Sequence, residues 1–202
     1  FDGGAAGAST NVGAAVANKK GVGTIPHSLE NIFAWKFGMD RAVAKSSKAF
    51  DKIIDSSIPR IALIDYRNKE VDDALIVARE LHPRLSGVRV DTAGENVMQG
   101  AEEYETEGKP FWGGKGVTIS GVYHLRQKLD AEKFDYVKIF LSSGFGQVAK
   151  VKAFVEAEQE LGVKLFDSLG VGGVFDARIS TMDIVGVGET PETIQPISKV
   201  GR

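Results

Sequence analysis

Arg89 and Asp91 stand two residues apart where an apolar run, 87–90, gives way to Thr92 and a glycine turn. A cation and a carboxylate at the carboxyl end of a strand are how α/β folds place chemistry, one to bind an anion and one to stabilise positive charge. Asp65 closes a second apolar run, 60–65, and Thr24 and His27 flank the end of a third, 22–25. Ser142-Ser-Gly144 and Gly170-Val-Gly-Gly173 each follow a strand-like run, so Ser142, Ser143, Gly144, Gly170, Gly172 and Gly173 leave backbone N–H groups free to converge on an anion. Lys138 lies inside the run 136–141, where a strand amine with Asp91 as partner would suit Schiff-base chemistry.

Those residues need a scaffold that brings strand ends together. The apolar runs 22–25, 60–65, 87–90, 136–141 and 165–169 alternate with helical patterns at 41–54, 71–81, 122–133 and 148–161. Such alternation implies a parallel sheet with right-handed crossovers. Small residues over 5–19 suggest a tightly packed helix closed by Gly21. After Pro26, the residues Leu29, Ile32, Phe33 and Phe37 share one helical face, with His27 at its start. Residues 93–118 lack a period and read as a long loop in which Phe111 and Trp112 act as anchors; loops of this length in compact domains are more often functional than idle. The 202 residues fall short of the roughly 250 residues and eight strands of a full (β/α)₈ barrel. The expected fold class is therefore α/β, an irregular or incomplete TIM-like barrel over 1–181, and 182–202 reads as a strand leading out toward a second domain.

Composition narrows the chemistry. A net charge of −2 with scattered Lys and Arg argues against nucleic acid or an anionic membrane as partner. Cysteine is absent and only three histidines occur, which excludes thiolate metal sites and disulfides and disfavours a histidine-rich metal centre. No apolar run approaches the roughly 20 residues of a membrane helix, and the amino end has no signal-peptide pattern, so the chain reads as cytoplasmic. His82 and His124 read as surface or helix-face residues.

The succession Asp2-Gly-Gly-Ala-Ala-Gly-Ala-Ser9, Gly23-Thr-Ile-Pro-His-Ser28, Gly87-Val-Arg-Val-Asp-Thr92, Val137-Lys-Ile-Phe-Leu-Ser-Ser-Gly144 and Leu169-Gly-Val-Gly-Gly173 resembles nicotinate phosphoribosyltransferase, particularly its archaeal-type members. The resemblance implies a type II phosphoribosyltransferase that joins nicotinate to phosphoribosyl pyrophosphate, giving nicotinate mononucleotide and pyrophosphate in NAD synthesis. It implies an active site shared between subunits of a homodimer or higher homo-oligomer. Carried over position by position, it puts the 5′-phosphate at Ser142, Ser143, Gly144, Gly170, Gly172 and Gly173, nicotinate beside Arg89, and the sugar carbon beside Asp91. Asp65 would hold the ribose and pyrophosphate end, with Mg²⁺ bridging through Asp65 and Asp91, and Thr24 and Lys138 would complete the substrate site. His27 matches the histidine that relatives phosphorylate from ATP.

The chemistry suits those residue types. Departure of pyrophosphate leaves positive charge on the sugar, which a carboxylate stabilises more in the transition state than in the ground state. Mg²⁺ takes oxygen ligands shared with phosphates. Structural alternatives stand beside each role: a backbone-bonded helix start for His27, an internal ion pair for Arg89 and Asp91, a turn cap before Asn68 for Asp65. Gly3 to Ala6 offers only Gly and Ala where relatives that use nicotinamide carry an aspartate, which leans toward an acid substrate. Quinolinate phosphoribosyl transfer, an aldolase using Lys138, and a non-catalytic barrel that binds a phosphorylated metabolite are the competing functions.

Overall fold

Each strand of the sheet falls on one of the apolar runs, and the chemistry-bearing residues follow at or just beyond its carboxyl end. The computed structural model describes residues 4–174 and 182–201. Phe1, Asp2 and Gly3, the opening of the first quoted motif, lie outside the described residues, as does the 175–181 boundary of the expected barrel domain.

A parallel sheet of four strands runs in sequence order: β1 (Arg60–Leu63), β2 (Leu85–Val90), β3 (Lys138–Leu141) and β4 (Ser168–Leu169). Sequential order with crossovers of one hand lays the intervening helices side by side on a single face. In accord with this, α3 (Met39–Ile53) packs on α4 (Glu70–Leu81), and α4 in turn on α5 (Ile119–Ala131). This arrangement is an arc of α/β wall. Ala62, Ile64, Val88, Val90, Ile139 and Leu141 point from the sheet into the helices and form the core. The register places Leu63, Arg89, Phe140 and Ser168 in one row on the opposite face, where Arg89 and Phe140 are half-buried.

The helices follow their apolar spacing. In α4, Val71, Ala74, Val77, Ala78 and Leu81 recur at three- and four-residue steps and are buried. The helix α6 (Val148–Leu161) has the span its pattern predicts and ends on Gly162 in the left-handed conformation, φ 65°.

Several expectations change. The small-residue stretch gives only the short α1 (Asn11–Ala15), capped by the Thr10 hydroxyl, because Gly and Ala provide little surface to bury over its length. Residues 22–25 pair with no strand and run as irregular chain. In α2 (His27–Phe37) the inward face is Glu30, Asn31 and Ala34, while Ile32 and Phe37 are exposed. The reason is polar: Asn31 accepts a hydrogen bond from Tyr66 Oη at 2.8 Å and donates to the Ile184 carbonyl at 2.6 Å. Within 182–202, expected as a strand leading out, the described residues form β5 (Gly186–Val187), which pairs antiparallel with β6 (Gln195–Pro196). The chain then folds back onto the sheet, with the Val200 N–H donating to the Tyr66 carbonyl at 2.9 Å. The long loop is pinned as anticipated: Phe111 and Trp112 pack on the core, and Trp112 Nε1 donates to Glu102 Oε1 at 3.1 Å.

Candidate active site

The carboxyl edge of the sheet collects most of the singled-out residues. Asp65 follows β1, Arg89 and Asp91 close β2, Ser142 follows β3 and Gly170 follows β4. Arg89 is the hub. Its Nε donates to Ser142 Oγ at 2.8 Å, Nη1 to Thr24 Oγ1 at 3.0 Å and Nη2 to Asp91 Oδ2 at 2.6 Å. One guanidinium thus ties together the irregular segment before α2, the end of β2 and the end of β3, using the fixed fork that Lys lacks. The pair is neither sealed nor free: the side chains of Arg89 and Asp91 are 30% and 21% exposed, so a ligand can reach both.

A second cluster centres on Asp65, which is fully buried. His27 Nε2 lies 3.0 Å from Asp65 Oδ1, and Lys199 donates to Asp65 Oδ2. Lys199 also donates to the Asp91 carbonyl at 3.0 Å and lies 3.4 Å from His27 Nε2. The imidazole nitrogen serves one neighbour at a time, donating to Asp65 as N–H or accepting from Lys199 through its lone pair. Burial pushes the Asp65 carboxyl up, but the hydrogen bonds and charges of His27 and Lys199 together outweigh it and hold the group below the usual carboxylate range.

Glu30, one turn into α2, is buried and its carboxylate oxygens have no hydrogen-bond partner among the described residues. Burial, with repulsion from Asp65 and Asp73, drives it well above the usual range despite Lys199 and Arg89. Behind it, burial also raises Glu70, although the Thr92 hydroxyl donates to it at 2.7 Å and the Gln99 N–H at 3.0 Å.

The two glycine loops meet. A Cβ on Gly146 would lie 2.2 Å from the Gly172 carbonyl oxygen, and one on Gly170 would lie 3.2 Å from Ser142 Cβ. Ser143 and Gly144 take successive left-handed conformations, φ 69° and 86°, and Gly173 takes φ 67°. Among the described residues, a Cβ at Gly172 or Gly173 would meet nothing within 4 Å.

Lys138 is not part of this edge. It opens β3 opposite Gly87, at the amino end of the sheet, and is exposed. There it borders an open cavity of about 350 Å³ with Asp135, Lys164 and Asp167. A larger cavity of about 770 Å³, lined by Asp51, Arg60, Arg84 and Ser86, lies on the same amino edge. There Arg60 Nε donates to Asp51 Oδ1 at 3.0 Å, and Arg84 Nη2 donates to Asp51 Oδ2 at 2.6 Å. Lys138 therefore cannot serve a substrate at the carboxyl edge, and the aldolase reading, which pairs it with Asp91, fails on distance along the strand. His82 and His124 are also remote: His82 Nδ1 sits 2.9 Å from Tyr136 Oη, and His124 packs under Gly100.

The site as built does not fit a preformed magnesium cage. The Asp65 oxygens face Lys199 and His27, and Asp91 is committed to Arg89. Among the described residues no group of three or more His, Cys, Asp or Glu side chains is arranged to hold a metal. Lys199 and Arg89 both bring positive charge to this edge.

With that geometry in place, comparison with solved structures is informative. The chain is similar to a nicotinate-nucleotide pyrophosphorylase. That structure, from Pyrococcus furiosus, superposes with a TM-score of 0.61 at 29% identity over 86% of this chain. The chain spans 36% of that protein's length. No protein-family model matches the chain, and no curated protein does. The likeness extends over the α/β arrangement described above. Among the described residues no helix is long and apolar enough to cross a membrane.

Sequence reasoning missed Lys199, Glu30 and the Asn31–Tyr66 contact. Lys199 gives no local signal because its partner lies 134 residues away. Glu30 had one: a carboxylate three residues after His27, on a face that alternates with the apolar one.

Proposed function

We propose that this chain carries the phosphoribosyl-binding half of an active site that joins a pyridine carboxylic acid to phosphoribosyl pyrophosphate. The observation that carries the reading is the contact between the two glycine loops beside Ser142, itself hydrogen-bonded to the half-exposed Arg89–Asp91 pair. A phosphate at the loops, a sugar over Asp91 and an aromatic acid against Arg89 fill that edge in order. The similarity to a nicotinate-nucleotide pyrophosphorylase supports the same class of reaction.

In this reading the pyridine nitrogen attacks the anomeric carbon as its bond to pyrophosphate breaks. The electron pair leaves with pyrophosphate, and positive charge on the sugar faces the Asp91 carboxylate. Arg89 orients the acid carboxylate, while Lys199 supplies charge beside the departing pyrophosphate. With quinolinate as acceptor, the carboxyl group next to the ring nitrogen is then lost as carbon dioxide, and the electron pair left on the ring carbon takes up a proton from solvent. The similarity to that pyrophosphorylase supports quinolinate as acceptor at least as well as nicotinate. Phosphorylation of His27 by ATP at Nε2 would displace the Asp65 contact, so ATP coupling is a separate arm of the test.

The test is product formation by the intact protein from phosphoribosyl pyrophosphate with quinolinate, nicotinate or nicotinamide, each with and without ATP. Nicotinate mononucleotide is expected from an acid substrate, with carbon dioxide released from quinolinate. Absence of nucleotide from every pyridine, with phosphate still bound, leaves the non-catalytic binding module in its place.

A further inference from the structure

Lys150 lies on the first turn of α6, directly beneath the Ser142-Ser-Gly144 loop, and it is 93% buried by the complement of its 7% exposure. Its Nζ donates to the Ser143 carbonyl at 3.2 Å and sits over the Phe145 ring at 4.6 Å. A Cβ on Gly144 would come within 3.4 Å of that nitrogen. No carboxylate pairs with it among the described residues. Burial alone is what acts on the ammonium, lowering its pKa to about 8. A buried cation without an anion is costly and is normally paired. Here the unmatched charge faces the back of a loop that is exposed at Gly144.

We infer that Lys150 is a positioning residue for an anion at this loop: it draws the Ser143 carbonyl inward and supplies the counter-charge for a phosphate seated on the outer side. The inference rests on the phosphate placement proposed above and extends it to a residue behind the loop. With the carbonyl held inward, the left-handed turn at Ser143 and Gly144 directs backbone N–H groups outward. Among the described residues the ammonium has a neutral carbonyl and a ring as its partners, so an anion at the loop supplies the opposite charge they lack.

Binding of inorganic phosphate to the intact protein, measured by calorimetry and by amide shifts of Ser143, Gly144, Gly172 and Gly173, tests this. Lys150→Met removes the charge while keeping length and apolar contact with Phe145. Lys150→Gln keeps a donor to Ser143 without the charge, and Lys150→Arg keeps the charge. Both neutral variants should bind phosphate roughly 10- to 100-fold more weakly, the loss of one opposite charge held close behind the loop. Their thermal midpoint without phosphate should be unchanged or higher, and Arg should restore most of the affinity. Unchanged affinity in either neutral variant overturns the inference, as does a fall in thermal midpoint without a change in affinity. Wild-type protein whose loop amides ignore phosphate overturns the phosphate placement itself, a result distinct from binding that is indifferent to Lys150.

Discussion

Lys199 donates to the buried carboxylate of Asp65 across 134 residues of sequence, and the same ammonium bonds the Asp91 carbonyl at 3.0 Å. The end of the chain therefore closes the carboxyl edge of the sheet beside the Arg89–Asp91 pair. Lys199 and Asp65 have side chains only 5% and 0% exposed, so the pair is shielded from solvent and salt.

Removing one partner of such a pair leaves an uncompensated buried charge. Lys199→Met should cost about 3 kcal/mol of stability, at the lower end for buried pairs because His27 still faces Asp65. The folded Asp65 carboxyl lies below its unfolded value of about 3.9, so its stabilising effect is complete above that pH and is lost as pH falls through the folded value. In Lys199→Met the carboxyl rises, and acid unfolding should begin at higher pH than in wild type. Urea melts between about pH 3 and 7 decide this; coincident acid limbs for the two proteins would contradict it.

Glu30 has the opposite sign. Its folded carboxyl is raised, so above the unfolded value of about 4.3 the folded state keeps a proton that the unfolded state has released. Stability should fall by about 1.4 kcal/mol for each pH unit from there up to the folded value. Glu30→Gln is neutral throughout and should remove that slope, gaining on wild type as pH rises. Parallel stability profiles for the two proteins would show that Glu30 is ionised or paired in solution.

Arg89 makes three contacts from three different nitrogens, a pattern Lys cannot reproduce. Arg89→Lys should keep the charge but lower kcat/KM for the pyridine acid by roughly 100-fold, the equivalent of one or two lost charged hydrogen bonds. Steady-state kinetics in the intact protein give the result. Near wild-type turnover would mean that charge alone is needed.

The contact between the glycine loops can be broken with a single methyl group. In Gly146→Ala the new Cβ would sit 2.2 Å from the Gly172 carbonyl oxygen, and its three nearest atoms are all backbone. One loop must move, at a cost of about 1–3 kcal/mol for overpacking. Phosphate affinity should fall with the stability, while a Lys138→Met control at the other end of β3 should change neither. An alanine variant that binds phosphate normally would separate the two loops functionally.

The strand ends illustrate how far periodicity reaches. Asp65, Arg89, Asp91, Ser142 and Gly170 are assigned to one edge by a local fact: an apolar run stops, a polar residue follows, and parallel strands all stop on the same side. The α6 pattern predicts the observed Val148–Leu161 span because a three- and four-residue apolar repeat is a property of the helix itself. Lys138 shows the limit. Its strand was recognised, but its position within the strand decides which edge it serves, and pairing with Gly87 puts it at the amino end.

The amino-acid sequence by itself determined the α/β alternation, the polar strand ends, the glycine loops and the absence of cysteine, since each depends on residues within a few positions of one another or on composition alone. Tertiary structure decided the rest. It turned the polar face of α2 inward because Asn31 has Tyr66 and the Ile184 carbonyl to bond. It brought Gly146 against Gly172, set Lys150 behind Ser143, and returned Lys199 to Asp65. Each of these depends on which groups become neighbours once the backbone is closed, and burial then fixes their charge; no residue pattern along the chain encodes a contact made only through space.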